Sequence, residues 1–164
     1  MEFELIMTSE RETRLLAKQL GENLTAGDVI LLEGDLGAGK TTFTKGLGEG
    51  LLIPQMIKSP TFTIIREYKK GRLPLYHMDV CRLEDTSADE LGLEEYFYGA
   101  GVSVVEWAQF VREDLPEEYL EIKLFHIDEN TRKIVVKPVG QRYEQLAMEV
   151  FGKSYLGWIR LLIR

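Results

Sequence analysis

The nine residues GDLGAGKTT, 34–42, constrain this chain more than any other stretch. They follow VILLEG (29–34), a short apolar strand of the kind buried on both faces of a parallel sheet. They lead into a segment that presents Phe43, Leu47 and Leu51 at helical spacing before Pro54 ends it. Gly34, Gly39, Lys40 and Thr41 fill the pattern G-x-x-x-x-G-K-[ST]. A turn of this kind gathers main-chain N–H groups around an anion, so side chains are unwelcome at Gly34, Gly37 and Gly39. Asp35, Leu36, Gly37, Ala38, Gly39, Lys40, Thr41 and Thr42 are therefore the expected phosphate contacts. Lys40 supplies a point charge for the outer phosphates, and the Thr41 hydroxyl is a ligand for magnesium. A chance glycine turn is the alternative, and the order of strand, loop, Lys-Thr pair and helix argues against it.

Helix and strand patterns alternate along 164 residues without a repeat, a low-complexity tract or a linker. The expected fold is α/β: a P-loop NTPase domain over residues 1–152, three-layered, with a mixed, mostly parallel central sheet and antiparallel hairpin additions. Residues 2–7 form a first strand, and Ser9 caps a helix while Glu12 closes a capping box. Thr13, Leu16, Ala17, Leu20 and Leu24 make its apolar face. FTIIREY and LPLYHMDV pair around KKGR (69–72), expected as a solvated hairpin tip, and a helix or two follow through ADELGLEEYF. VSVVEW is a second buried strand that ends on Glu106, and YLEIKLFHI with RKIVVKP forms a hairpin at the far edge. The end of the chain is helical by pattern twice over, first through Tyr143, Leu146, Ala147, Val150 and Phe151. A second face, Tyr155, Trp158, Ile159, Leu162 and Ile163, makes residues 153–164 a helical tail of the same domain.

The formal charge of −7 argues against direct nucleic-acid binding, because phosphate contacts want a basic face; any RNA is held through a partner. No apolar run approaches the ~20 residues that span a bilayer, and the acidic N-terminus is unlike a secretory signal. With the single cysteine, Cys81, the chain reads as cytoplasmic. An Asn-Lys-x-Asp base reader and an Asp-x-x-Gly after the second strand are both missing, which favours ATP over GTP. A small-molecule kinase is the rival class, weakened by the lack of an arginine-rich lid, and a non-hydrolytic nucleotide-sensing adaptor is a third.

Hydrolysis needs a carboxylate for the hydrated magnesium ion and a group to orient the attacking water. Glu106 and Asp79 each close an apolar strand, where ligands bind in open α/β folds; a carboxylate facing solvent is the plain alternative for both. His77, Asp79 and Cys81 share a face by the two-residue period, but a zinc site lacks a fourth ligand cluster. A threonine in SPTFT (59–63) stands where many phosphate-loop proteins sense the third phosphate; an edge-strand turn fits equally well. Trp107, directly after the acid, either stacks on the nucleotide or fills the core, and the sequence alone slightly favours the core.

GDLGAGKTT, SPTFT, HMDVCRL, ELGLEEYF and VVEWAQ, in this order and at these intervals, resemble the TsaE (YjeE) family of bacterial ATPases over residues 5–140. The resemblance implies ATP hydrolysis with Mg2+ in support of the TsaB and TsaD proteins, which install threonylcarbamoyl on adenosine 37 of tRNA. It implies that Thr41 ligates magnesium, that Thr61 belongs to the nucleotide-sensing segment, and that Asp79 and Glu106 are the catalytic or metal-holding acids, without deciding which of them polarises the water. The assignment adopted is Thr41 and Glu106 on the metal, with Asp79, Glu106, Lys40 and Thr61 as the catalytic set. It also makes Trp107 a nucleotide neighbour. The family's H-x-D-x-Y-R segment has Cys81 here in place of tyrosine, with Asp79 and Arg82 retained.

Overall fold

The computed structural model describes residues 1–35, 37–60, 64–81 and 91–152, and the backbone of 162–163. Its strands are β1 (Phe3–Met7), β2 (Val29–Gly34), β3 (Ile65–Tyr68), β4 (Leu75–Asp79), β5 (Val102–Glu106), β6 (Tyr119–His126), β7 (Arg132–Val139) and β8 (Leu162–Ile163). Its helices are α1 (Glu10–Glu22), α2 (Lys40–Gly50), α3 (Leu93–Phe97), a 3-10 segment (Ala108–Asp114) and α4 (Gln141–Phe151). The described strands make one sheet in the order β3, β4, β5, β2, β6, β7, β1, β8. The central four, β4, β5, β2 and β6, run parallel, and the flanking pairings are antiparallel.

Strand β2 shows why the sheet needs cover on both faces. Ile30 and Leu32 join the core formed with α1, α2 and α4, while Val29 and Leu31 face the opposite cluster with Leu93, Phe97 and Val111. Three layers result. Because β5 lies on one side of β2 and β6 on the other, a crevice opens beyond the carboxyl end of β2, where such sheets bind ligands.

Helix α1 begins as its sequence requires, with the Ser9 hydroxyl accepting from Glu12 N at 3.1 Å. The reciprocal half of the box lands one residue upstream, since the Glu12 carboxylate accepts from Thr8 N at 2.8 Å and from the Thr8 hydroxyl at 2.7 Å. Helices α1 and α2 meet backbone to backbone. A Cβ built on Gly46 would stand 2.7 Å from the Ala17 Cβ, and one on Gly50 would stand 2.7 Å from Glu22 N.

Two expectations change. The β6–β7 hairpin is interior, because β6 pairs with β2 and the buried residues Phe3, Leu5 and Met7 bring β1 against β7. Leu162 and Ile163 extend the sheet beside Glu4 and Phe3 instead of continuing a helix, which pairs the main-chain edge that β1 would leave open. The rest of the second helical face, Tyr155, Trp158 and Ile159, lies outside the described residues. The KKGR segment is the solvated tip expected between β3 and β4, with one added role. Its lysines are exposed, but the Arg72 guanidinium donates to the Gly21 and Leu24 carbonyls at 2.9 and 3.0 Å and so caps the end of α1.

Candidate functional site

The phosphate loop takes its shape from two left-handed glycines. Gly37 has φ +81° and Gly39 φ +103°, and the space where a Cβ would sit is empty at both, so backbone conformation rather than crowding demands glycine. Ala38 N donates to Asp35 O at 2.9 Å and closes the turn. Gly39 is the N-cap of α2 and no side chain caps the helix, which leaves the first-turn N–H groups to a ligand. They open onto a cleft of about 400 Å3 whose lining includes Glu10, Lys40, Thr41, Thr42, Ser59 and Arg132. Glu10 accepts from the Thr42 hydroxyl at 3.0 Å, and Arg132 donates to the Gly37 carbonyl at 3.3 Å.

The two acids come from neighbouring parallel strands. Register pairs Asp79 with Glu106, and the alternation of β4 and β5 puts both on the face shared by Leu75 and Val104, toward α2. Neither faces solvent: Asp79 is 5% exposed and Glu106 6%. Glu106 Oε1 lies 3.4 Å from Lys40 Nζ, and its Oε2 lies 2.6 Å from His77 Nε2. Burial pushes the Glu106 carboxyl up, but its hydrogen bond and charge interaction with His77, and then the Lys40 ammonium, outweigh burial and hold it below the usual carboxylate range. Asp79 accepts from Cys81 N at 3.1 Å, and its own N–H donates to the Ile64 carbonyl at 2.7 Å. Ile64 has φ +56°, a strained value for a β-branched residue, at the point where the 59–63 segment rejoins the sheet.

Lys40, Glu106 and Asp79 therefore meet at one edge, with Asp35, Gly37, Gly39, Thr41 and Thr42 around the adjoining cleft. Ala38 is buried beneath the loop. Leu36 and Thr61 lie outside the described residues. Trp107 is not core filler: it is 42% exposed, has φ +63°, and its ring carries Lys40 Nζ 5.2 Å from the centroid. The strand ends at Glu106, and the left-handed turn at Trp107 takes the indole out of the apolar run that suggested burial.

Three residues were not legible as part of this site. His77 is offered by the sequence as a zinc ligand and as the first residue of the H-x-D-x-Y-R segment, with no partner indicated, yet its Nε2 is engaged by Glu106. The two-residue period puts it on the face of Asp79, and only the pairing of β4 with β5 adds Glu106. Glu10 and Arg132 reach the cleft from α1 and from the start of β7, with no local motif to mark them.

In sequence and in fold the chain is similar to proteins of one family. The family model described as "Threonylcarbamoyl adenosine biosynthesis protein TsaE" matches residues 7–134. The chain is 55% identical over 139 residues to the tRNA threonylcarbamoyladenosine biosynthesis protein TsaE of Bacillus subtilis, covering 85% of this chain and 87% of that one. The protein of the same name from a Nostoc species is 47% identical over 138 residues, covering 81% and 85%. A crystal structure of Bacillus subtilis YdiB superposes with a TM-score of 0.81 at 47% identity, covering 92% of this chain and 94% of the other. The phosphate loop and the paired acids fall within residues 7–134, and the chain belongs to the TsaE family.

Proposed function

We propose that this chain is the ATP-hydrolysing component of the cytoplasmic machinery that places N6-threonylcarbamoyl on adenosine 37 of tRNA. In this reading it acts with TsaB and TsaD, is slow alone, and meets tRNA only through them. The relatives named for this pathway supply the context. The observation that carries the chemistry is the contact of the half-buried Lys40 with the buried Glu106 at the phosphate loop, with Asp79 beside Glu106 in register.

The residues fit a magnesium-nucleotide substrate. Among the described residues no group of three or more His, Cys, Asp or Glu side chains could cage a metal. Magnesium does not need one, since it keeps several waters and binds through one or two protein oxygens plus phosphate. Thr41 and Glu106 would hold Mg2+, which neutralises charge on the outer phosphates. Lys40 moves its ammonium from Glu106 onto those phosphates, and the amides of 35–42 fix their oxygens. Asp79 orients the attacking water or the groups around it. Trp107 borders the nucleotide, and Thr61 senses the third phosphate within 59–63.

Inorganic phosphate release, measured with and without TsaB and TsaD, tests the reading. Lys40→Ala should lower turnover by at least about 100-fold, the scale of losing one electrostatic stabiliser. Asp79→Asn should lose turnover while retaining nucleotide affinity, whereas Glu106→Gln should also weaken the dependence of binding on divalent ion. Phosphate that appears on a small acceptor instead of in solution would replace this reading with a kinase.

A further inference from the structure

We propose that His77 is a positioning residue that clamps the Glu106 carboxylate from within the sheet, so that one oxygen stays fixed while the other is offered to the phosphate loop. This builds on the hydrolytic reading above. His77 is wholly buried, in the middle of β4, and its register partner is Val104, two residues before Glu106 on the same face of β5. Its Nε2 stands 2.6 Å from Glu106 Oε2. A carboxylate only accepts hydrogen bonds, so Nε2 carries the hydrogen and donates it.

The other ring nitrogen shows what the ring is for. Among the described residues Nδ1 is buried and has no hydrogen-bond partner. A buried polar atom without a partner costs on the order of 1–3 kcal/mol, and a leucine would fill the same space without that cost. Packing alone therefore does not account for a histidine here, whereas the bond to Oε2 does. The two Glu106 oxygens are thereby divided: Oε2 belongs to His77, and Oε1 faces Lys40. When Lys40 turns to a phosphate, Oε1 loses its cation while Oε2 keeps its donor, so the carboxylate holds its orientation as its partner changes. Partners of this kind, acting through the group that touches substrate, typically alter activity by about 10–100-fold.

The full chain is assayed as His77→Leu, which removes the donor at similar volume, and as His77→Gln, whose side-chain amide can place an N–H near the position of Nε2. His77→Leu should lose about 10–100-fold in kcat with affinity for adenine nucleotide nearly unchanged, and His77→Gln should recover much of that loss. The unmodified chain should also show a downfield, slowly exchanging ring N–H signal in 15N-edited NMR that is missing from both variants. Wild-type turnover in a folded His77→Leu chain, a His77→Gln chain as slow as His77→Leu, or absence of the ring N–H signal would each overturn the clamp. If His77→Leu does not fold, His77→Gln and the ring signal decide. A wild-type chain that releases no phosphate even with TsaB and TsaD removes the hydrolytic reading alone, and the ring signal still decides whether His77 holds Glu106.

Discussion

Tyr143 reaches across the fold to do a backbone's work, its hydroxyl accepting the Val29 N–H at 2.8 Å where β2 begins. Burial pushes its phenol up to about 12, with the Val29 bond pulling the other way. Because the folded value lies above the ordinary 10.0, this stability is whole below pH 10 and is lost as pH climbs toward 12. Tyr143→Phe should cost about 1–3 kcal/mol at neutral pH by leaving the Val29 N–H unpaired. Urea denaturation across alkaline pH should show the gap between the two proteins closing between pH 10 and about 12. Single residues also divide by how local their signal is. Lys40 and Thr41 are legible because the motif that names them is contiguous, whereas the contact of His77 with Glu106 depends on which strands become neighbours. Trp107 misled for a related reason, since nothing in VSVVEW announces a left-handed turn at its last residue.

At the scale of elements, α1 and α2 pack closely enough that Gly46 behaves contrary to helix propensity. In an isolated helix Gly→Ala gains about 1 kcal/mol. Here the new methyl would collide with Ala17 and with the Arg14 carbonyl, and overpacking of a rigid contact costs about 1–3 kcal/mol. Gly46→Ala should therefore lower the melting temperature, and a rise would show that the helices can part without loss. The elements themselves were largely readable: β2, α2, β4 with β3, β5 and α4 all lie where period and turn residues place them. Their neighbours were less so. The β6–β7 pattern fixes a hairpin but not what lies beyond it, and β1 enters beside β7 through contacts separated by most of the chain.

The whole molecule places the phosphate loop and both acids at the carboxyl end of the central strands, and the loop lysine has a carboxylate partner within the fold itself. Nucleotide and divalent ion should therefore stabilise the fold together. At 100 times the dissociation constant a ligand adds about 2.7 kcal/mol, which a thermal melt resolves readily. The shift produced by ATP should shrink sharply in a chelator, because an anion that claims Lys40 alone takes from Glu106 its ammonium partner with no metal to replace it. An equal shift with and without the ion would contradict that coupling. On the proposed function the pocket would work as an exchanger rather than a sink, trading an internal counter-ion for each guest. Stray orthophosphate should gain little from that trade, which would favour a guest that arrives with its own metal.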